Sequence, residues 1–189
     1  MLRLTSEMVR DQALLAAGAL VEKVGGASVP ESANRRSVYT YRKRTAPPDS
    51  MLIFDAGSRE VCQPKRLNTN TPLQALVLLN NPGFVQAATQ LAARVSKEAT
   101  DPSQRIALAF RHVCARPPRP AELAALTELY AQRQADPTPT VKPPAEPKPD
   151  PKGKRAASPP AKTPTDPTLA ALTLVCSTIL ASDAAVTSR

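Results

Sequence analysis

The chain has 189 residues, of which 42% are hydrophobic, and a formal net charge of +9. That length accommodates one domain with a core, and the charge suits an anionic partner: nucleic acid, an anionic polysaccharide or an acidic protein surface. Aromatics make up 3%, Trp is absent, and 21 Pro stand against 6 Gly, so the core has to come from Leu, Val, Ala and Ile, a composition that favours packed helices.

Residues 5–24 read as an amphipathic helix. Val9, Ala13, Ala16, Ala17, Leu20 and Val24 follow one stripe, and Glu7, Arg10, Asp11 and Glu22 decorate its flanks. Gly25-Gly26 is the expected left-handed stop. The charges are scattered through the apolar pattern and do not form the leading basic patch of a secretory signal. Residues 27–71 are interrupted by Pro30, Pro47, Pro48 and Pro64 and read as an irregular layer laid over helices. Within it, Ser37–Arg44 carries Val, Tyr, Thr and Tyr and predicts a short strand. Met51–Phe54 is a second short apolar run, too brief to assign.

From residue 71 the punctuation is regular. Thr71-Pro72, Asn81-Pro82, Asp101-Pro102 and Asp166-Pro167 each put a capping side chain before a proline, and Arg119-Pro120 has the proline without an ideal cap. Apolar residues at spacings of three and four follow, predicting helices over 72–80, 82–97, 102–115 and 120–134. A final helix over about 167–181 is apolar on most sides and is expected to be buried. Its longest apolar run, Leu169 to Ala181, is shorter than the roughly 18 residues of a membrane span. Residues 136–166 are rich in Pro, Lys, Ala and Thr, with six basic residues against four acidic. They predict a disordered insert with polyproline II character, because too little apolar surface is available to offset ordering. The expected organisation is therefore a single helical domain from 1–135 plus 167–189, interrupted by the insert.

Few residues suggest chemistry. His112 is the sole histidine, falls opposite the Ile106/Phe110/Val113 face, and has no carboxylate at a useful spacing in sequence. Cys62, Cys114 and Cys176 form no CxxC pair, and each reads as a free, buried small hydrophobe. No phosphate loop and no nucleophile elbow is present. No catalytic residue, metal ligand or cofactor is expected in this chain.

The polar middle is richer. Residues 35–66 hold eight Lys or Arg against three Asp or Glu. Amides and hydroxyls follow at Asn68-Thr69-Asn70-Thr71, Gln74 and Asn80-Asn81. One reading is that ion pairs and caps tie the irregular layer together. The other is a surface for an anionic ligand or glycan, since arginine forks take carboxylates, phosphates and sulfates. Nucleic acid is disfavoured, because Tyr39 and Tyr41 beside Arg42–Arg44 are the only aromatics interleaved with charge.

The block RRSVYTYRKRTAPPDSMLIFDAGSREVCQPKRLNTNTPLQALVLLNNPGFVQAA, residues 35–88, resembles the family called domain of unknown function 1553. The likeness extends to RLTSEMVRDQALLAAGALVEKVGG at 3–26, RIALAFRHVCARPPRPAELAAL at 105–126, and the end near residues 184–187. Only 136–166 departs, as an expanded loop. The resemblance implies a carboxy-terminal module of a large exported planctomycete protein, in the periplasm or cell envelope. Its partners would be upstream domains, a cytochrome-c-like one and a companion. No CxxCH is present, so no heme site is carried over, and the chain would be a fragment or a truncated gene product. The family's characteristic positions here are Arg35, Arg36, Asp55, Arg59, Glu60, Arg66, Thr69, Asn70, Thr71, Gln74, Asn80 and Asn81.

The expected fold is mainly α, about six helices in an orthogonal or bundle-like packing, with an irregular, short-stranded layer at 27–71 and a disordered Pro/Lys-rich loop. The expected function is that of a non-catalytic structural or interaction module contacting anionic glycans. The alternatives are part of an enzyme active site completed by upstream domains, and a basic nucleic-acid-binding module.

Overall fold

The proline-led pattern organises most of the chain. The computed structural model describes residues 2–45, 47–57, 62, 64–135 and 166–188. Helix α3 (Pro72–Asn80), α4 (Pro82–Glu98), α5 (Pro102–Cys114) and α7 (Pro167–Ala181) all begin on proline after an extended capping residue. Asn81 Oδ1 accepts from the Gly83 amide, Asp101 Oδ2 from Gln104 and Asp166 Oδ1 from Thr168, each at 2.9 Å. A cap of this kind is worth about 1 kcal/mol. Helix α6 (Pro120–Ala135) is closed from within: Glu122 Oε2 accepts the Arg119 amide at 2.7 Å. The same carboxylate takes both Nη atoms of Arg116, at 2.8 and 2.7 Å.

Helix α7 is the centre of the packing. It lies against α3, α4, α5 and α6. Ala171, Leu172, Val175 and Cys176 are fully buried there, as are Ala88, Leu91, Ala92 and Val95 of α4. Ile106, Ala109, Phe110 and Val113 of α5 and Tyr130 of α6 complete the core, together with Val9, Ala13 and Ala16 of α1 (Ser6–Ala16). The fold is mainly helical, as expected. The described residues hold eight α-helices where the sequence suggests about six, and the additional ones are the short α2 (Asp49–Ile53) and α8 (Asp183–Val186). Met51–Phe54, ambiguous in sequence, falls in α2 and the residue that ends it. The stretch expected as a disordered insert lies outside the described residues, apart from Asp166, which caps α7.

Two elements differ from expectation. Helix α1 ends at Ala16, not near residue 24, and Val24 is 89% exposed. Gly18, at φ +70°, takes the left-handed position that the sequence suggested for Gly25-Gly26. The amides of Gly18 and Ala19 turn back to the Leu15 and Leu14 carbonyls, both at 2.9 Å. Arg94 reaches over from α4 and donates to the Ala16 carbonyl at 3.0 Å, satisfying an orphan acceptor at the helix end. Second, Ser37–Arg44 forms no strand. Ser37–Tyr39 is a 3₁₀ turn, and single parallel bridges join Val21 to Arg35 and Val29 to Thr40. Among the described residues, the segment facing it is broken by Gly25 and Gly26 and pairs with it only at Val29. A short antiparallel pair does form elsewhere: β1 (Leu2–Arg3) against β2 (Thr187–Ser188).

Cys176 is buried and Cys114 half-buried, but Cys62 is exposed and does not play the part of a small core hydrophobe. Burial pushes the thiol of Cys176 up to about 12 and that of Cys114 up to about 11, which suppresses the reactive thiolate in both. His112 meets a carboxylate that its sequence neighbourhood does not offer: its Nε2 lies 2.9 Å from Glu98 Oε2 of α4. Among the described residues no group of three metal-ligating side chains gathers, and no helix is long and apolar enough to cross a membrane.

Candidate functional site

The polar signature separates into three knots, two of them bonded to α1. The first is built around Arg10. Its Nη1 donates to the Arg35 carbonyl at 2.9 Å and to Ser37 Oγ at 3.1 Å. Its Nη2 donates to the carbonyls of Glu31 at 2.6 Å and Ala33 at 2.5 Å. One guanidinium thus fixes the whole 31–37 segment to α1. Arg35 repeats the device outward, donating to the carbonyls of Lys23, Gly25 and Ala27 while stacking 4.1 Å over the Tyr39 ring. Asp11 accepts the Ser37 amide at 2.7 Å and lies 3.6 Å from Arg36, whose side chain is 64% exposed.

The second knot centres on Glu7. Arg66 lies 2.8 Å from Glu7 Oε2 and Arg42 3.4 Å from Oε1. Arg42 also donates to the Gly57 carbonyl at 2.9 Å, so three distant stretches meet at one carboxylate. Burial pushes the Glu7 carboxyl up. The hydrogen bonds from Arg66, the backbone amide and Ser6 outweigh that and bring it down to about 2. A carboxylate depressed on folding stabilises the fold above its ordinary value of 4.5 and loses that contribution as pH falls toward about 2. Glu122, held down to about 2 by the Arg116 hydrogen bonds, acts in the same window. The melting temperature should therefore fall as pH drops below 4.5, and Glu7→Gln should flatten part of that slope in a pH series of thermal melts.

The third knot joins α2 to α3. Asp55, in a left-handed conformation at φ +59°, accepts the Thr69 amide and hydroxyl, both at 2.8 Å at its Oδ2. Gln74 is fully buried; its Nε2 donates to the Ile53 carbonyl at 2.9 Å and to Thr69 Oγ1 at 3.1 Å, and its Oε1 faces the Thr71 amide. Asn80 turns back on its own helix, donating to the Leu76 carbonyl, and Asn81 caps α4. Asn70 is exposed, and Arg59 and Glu60 lie outside the described residues.

Among the described residues these groups, the exposed Asn70 apart, are thus bonded to carbonyls, amides and each other, and they do not converge on one open cleft. Arg10 and Glu7, which the sequence presents as flank decoration, turn out to be the hubs. The signal that would have found them is their spacing of three on α1, which makes them neighbours on one flank of the helix, Arg10 next to the buried Ala13. A separate cavity of about 340 Å³ opens next to the Arg10 knot, between α1, α2 and the start of α4. Its polar edge includes Glu31, which accepts from Ser50 Oγ, and Asn34. Several large apolar side chains among the described residues face outward, and on α3 three of them form a stripe: Leu73 and Leu76 are each 54% exposed, and Leu79, at the same spacing of three, is 39% exposed.

A family model described as PSD1, protein of unknown function (DUF1553), matches residues 1–130. No curated protein and no solved structure matches the chain.

Proposed function

The chain belongs to the DUF1553 family, whose function is unknown, and on that premise we propose that it is a non-catalytic interaction module of a larger exported, cytochrome-associated protein. The observation that carries this reading is a contrast. Most of the described polar signature is bonded within the chain, as at Asp55 and Gln74, whereas α3 turns Leu73, Leu76 and Leu79 to solvent. A shared active site would leave Asp55 and its neighbours open toward a substrate. A docking module leaves an apolar stripe, as Leu73, Leu76 and Leu79 form here, because burying leucine is what drives association. The occupant of that stripe is an upstream domain of the same protein. Hydrogen exchange distinguishes the cases. Amides of α3 should exchange more slowly in the longer protein than in the isolated chain, and Leu73→Asp with Leu76→Asp should abolish the difference. Equal exchange in the two forms would remove the docking role.

Contact with anionic glycans falls to the exposed cations Arg36, Lys43, Arg44, Lys65 and Arg66. Retention on a sulfated polysaccharide column should weaken, eluting at lower salt, when Lys43 and Arg44 are replaced by Glu. Unchanged elution would leave these cations as a solvated surface only.

A further inference from the structure

We propose that the cavity between α1, α2, the start of α4 and residues 31–34 is a binding site for a neutral, polyhydroxylated ligand, a sugar of one or two rings. This goes beyond the docking role and does not depend on it. The volume, about 340 Å³, lies within the range of small-molecule sites, roughly 300–1,000 Å³. Its floor is apolar, with Ala13, Phe54, Phe84 and Ala87 buried along it. The two phenyl rings sit 6.4 Å apart at an interplanar angle of 59°. Such a floor accepts the C–H face of a pyranose.

The edge selects hydroxyl groups. Asn34, Gln86 and Gln90 line the cavity, and their side-chain amides have no hydrogen-bonding partner among the described residues. Each amide offers one acceptor oxygen and two donor hydrogens, matching a hydroxyl that both gives and takes a proton. Glu31, steadied by Ser50, adds a carboxylate that accepts from hydroxyls. Charge argues against an anion. Arg10 is the one cation in the described lining, and four acceptors of the 31–37 segment already occupy its Nη atoms. A purely apolar ligand would cover amide surface, at Gln90 above all, that water satisfies in the open cavity, at a cost that hydroxyls avoid.

The test is a titration of the isotopically labelled chain with glucose, galactose, cellobiose and maltose, with glucuronate as the anionic counterpart. At least one neutral sugar should shift the side-chain amide resonances of Asn34, Gln86 and Gln90 saturably at millimolar concentration. Glucuronate should bind about tenfold more weakly, because its carboxylate would face Glu31. Gln90→Leu should remove the response, and Asn34→Ala, on the exposed rim where folding is not at stake, should weaken it severalfold with an unchanged melting temperature. The proposal is overturned if no neutral sugar shifts these amides, if glucuronate binds as tightly, or if Asn34→Ala leaves the titration unaltered.

Discussion

Arg10→Met should destabilise the fold by about 3–5 kcal/mol, the range seen when one partner of a buried charged network is removed. Methionine keeps the aliphatic stem and deletes only the donors, so the loss isolates the hydrogen bonds. The carbonyls of Glu31, Ala33 and Arg35 would be stranded, and Asp11 would lose the guanidinium 3.8 Å away. For a chain of this size the melting temperature should fall by roughly 10 °C. The control is Arg36→Met. That side chain is 64% exposed and holds Asp11 at 3.6 Å, so its removal should stay within about 0.5 kcal/mol. Hydrogen exchange of amides 31–37 should rise in the first variant and stay unchanged in the second. If both variants melt alike, Arg10 is not the clamp.

Leu172→Ala should cost about 2–5 kcal/mol, from lost burial and the cavity left behind. Leu172 is fully buried in α7, the helix that every long neighbour from α3 to α6 packs against, so the void has little room to collapse. Leu76→Ala is the informative partner experiment. The residue type is the same and the exposure is 54%, so the isolated chain should lose well under 1 kcal/mol. Chemical denaturation of both variants checks the pair. A large loss at Leu76 would mean that α3 is covered in the isolated chain, which would also defeat its role as a docking face.

The part of the fold legible in sequence is the part encoded locally. Asn81, Asp101 and Asp166 each fix a helix start through a hydrogen bond to an amide two or three residues on, and the apolar spacing then carries the helix forward. Observed boundaries such as Pro72–Asn80 and Pro167–Ala181 accordingly coincide with those expected. The misread part is held by contacts that span the chain. Arg94 closes α1 from 78 residues away, and Arg10 gathers carbonyls from 21 to 25 residues downstream. Neither relation leaves a periodic trace. Gly18, standing among good helix formers, looks tolerable until the structure shows that the chain must turn there. The candidate site followed the same division. The caps at Thr71 and Asn81 were readable as caps, but the sequence could not tell whether the arginines face inward or outward. Three-dimensional pairing tied Arg35 to the carbonyls of the 23–27 turn and Asp55 to Thr69, and left Arg36 on the surface.

The pairing of β1 with β2 sets Leu2 opposite Ser188 and Arg3 opposite Thr187, with the Leu4 amide adding a bond to the Val186 carbonyl at 2.9 Å. The polypeptide therefore runs almost a closed circuit. Attachments before residue 2 and after residue 188 would leave side by side, so the module could be spliced into a host loop without forcing the host's cut ends apart. The same circuit can be opened elsewhere. A circular permutant with residues 2 and 188 bridged by a few glycines, and new ends placed between α6 and α7, would keep every helix and every knot described above while changing only the order in which the ribosome makes them.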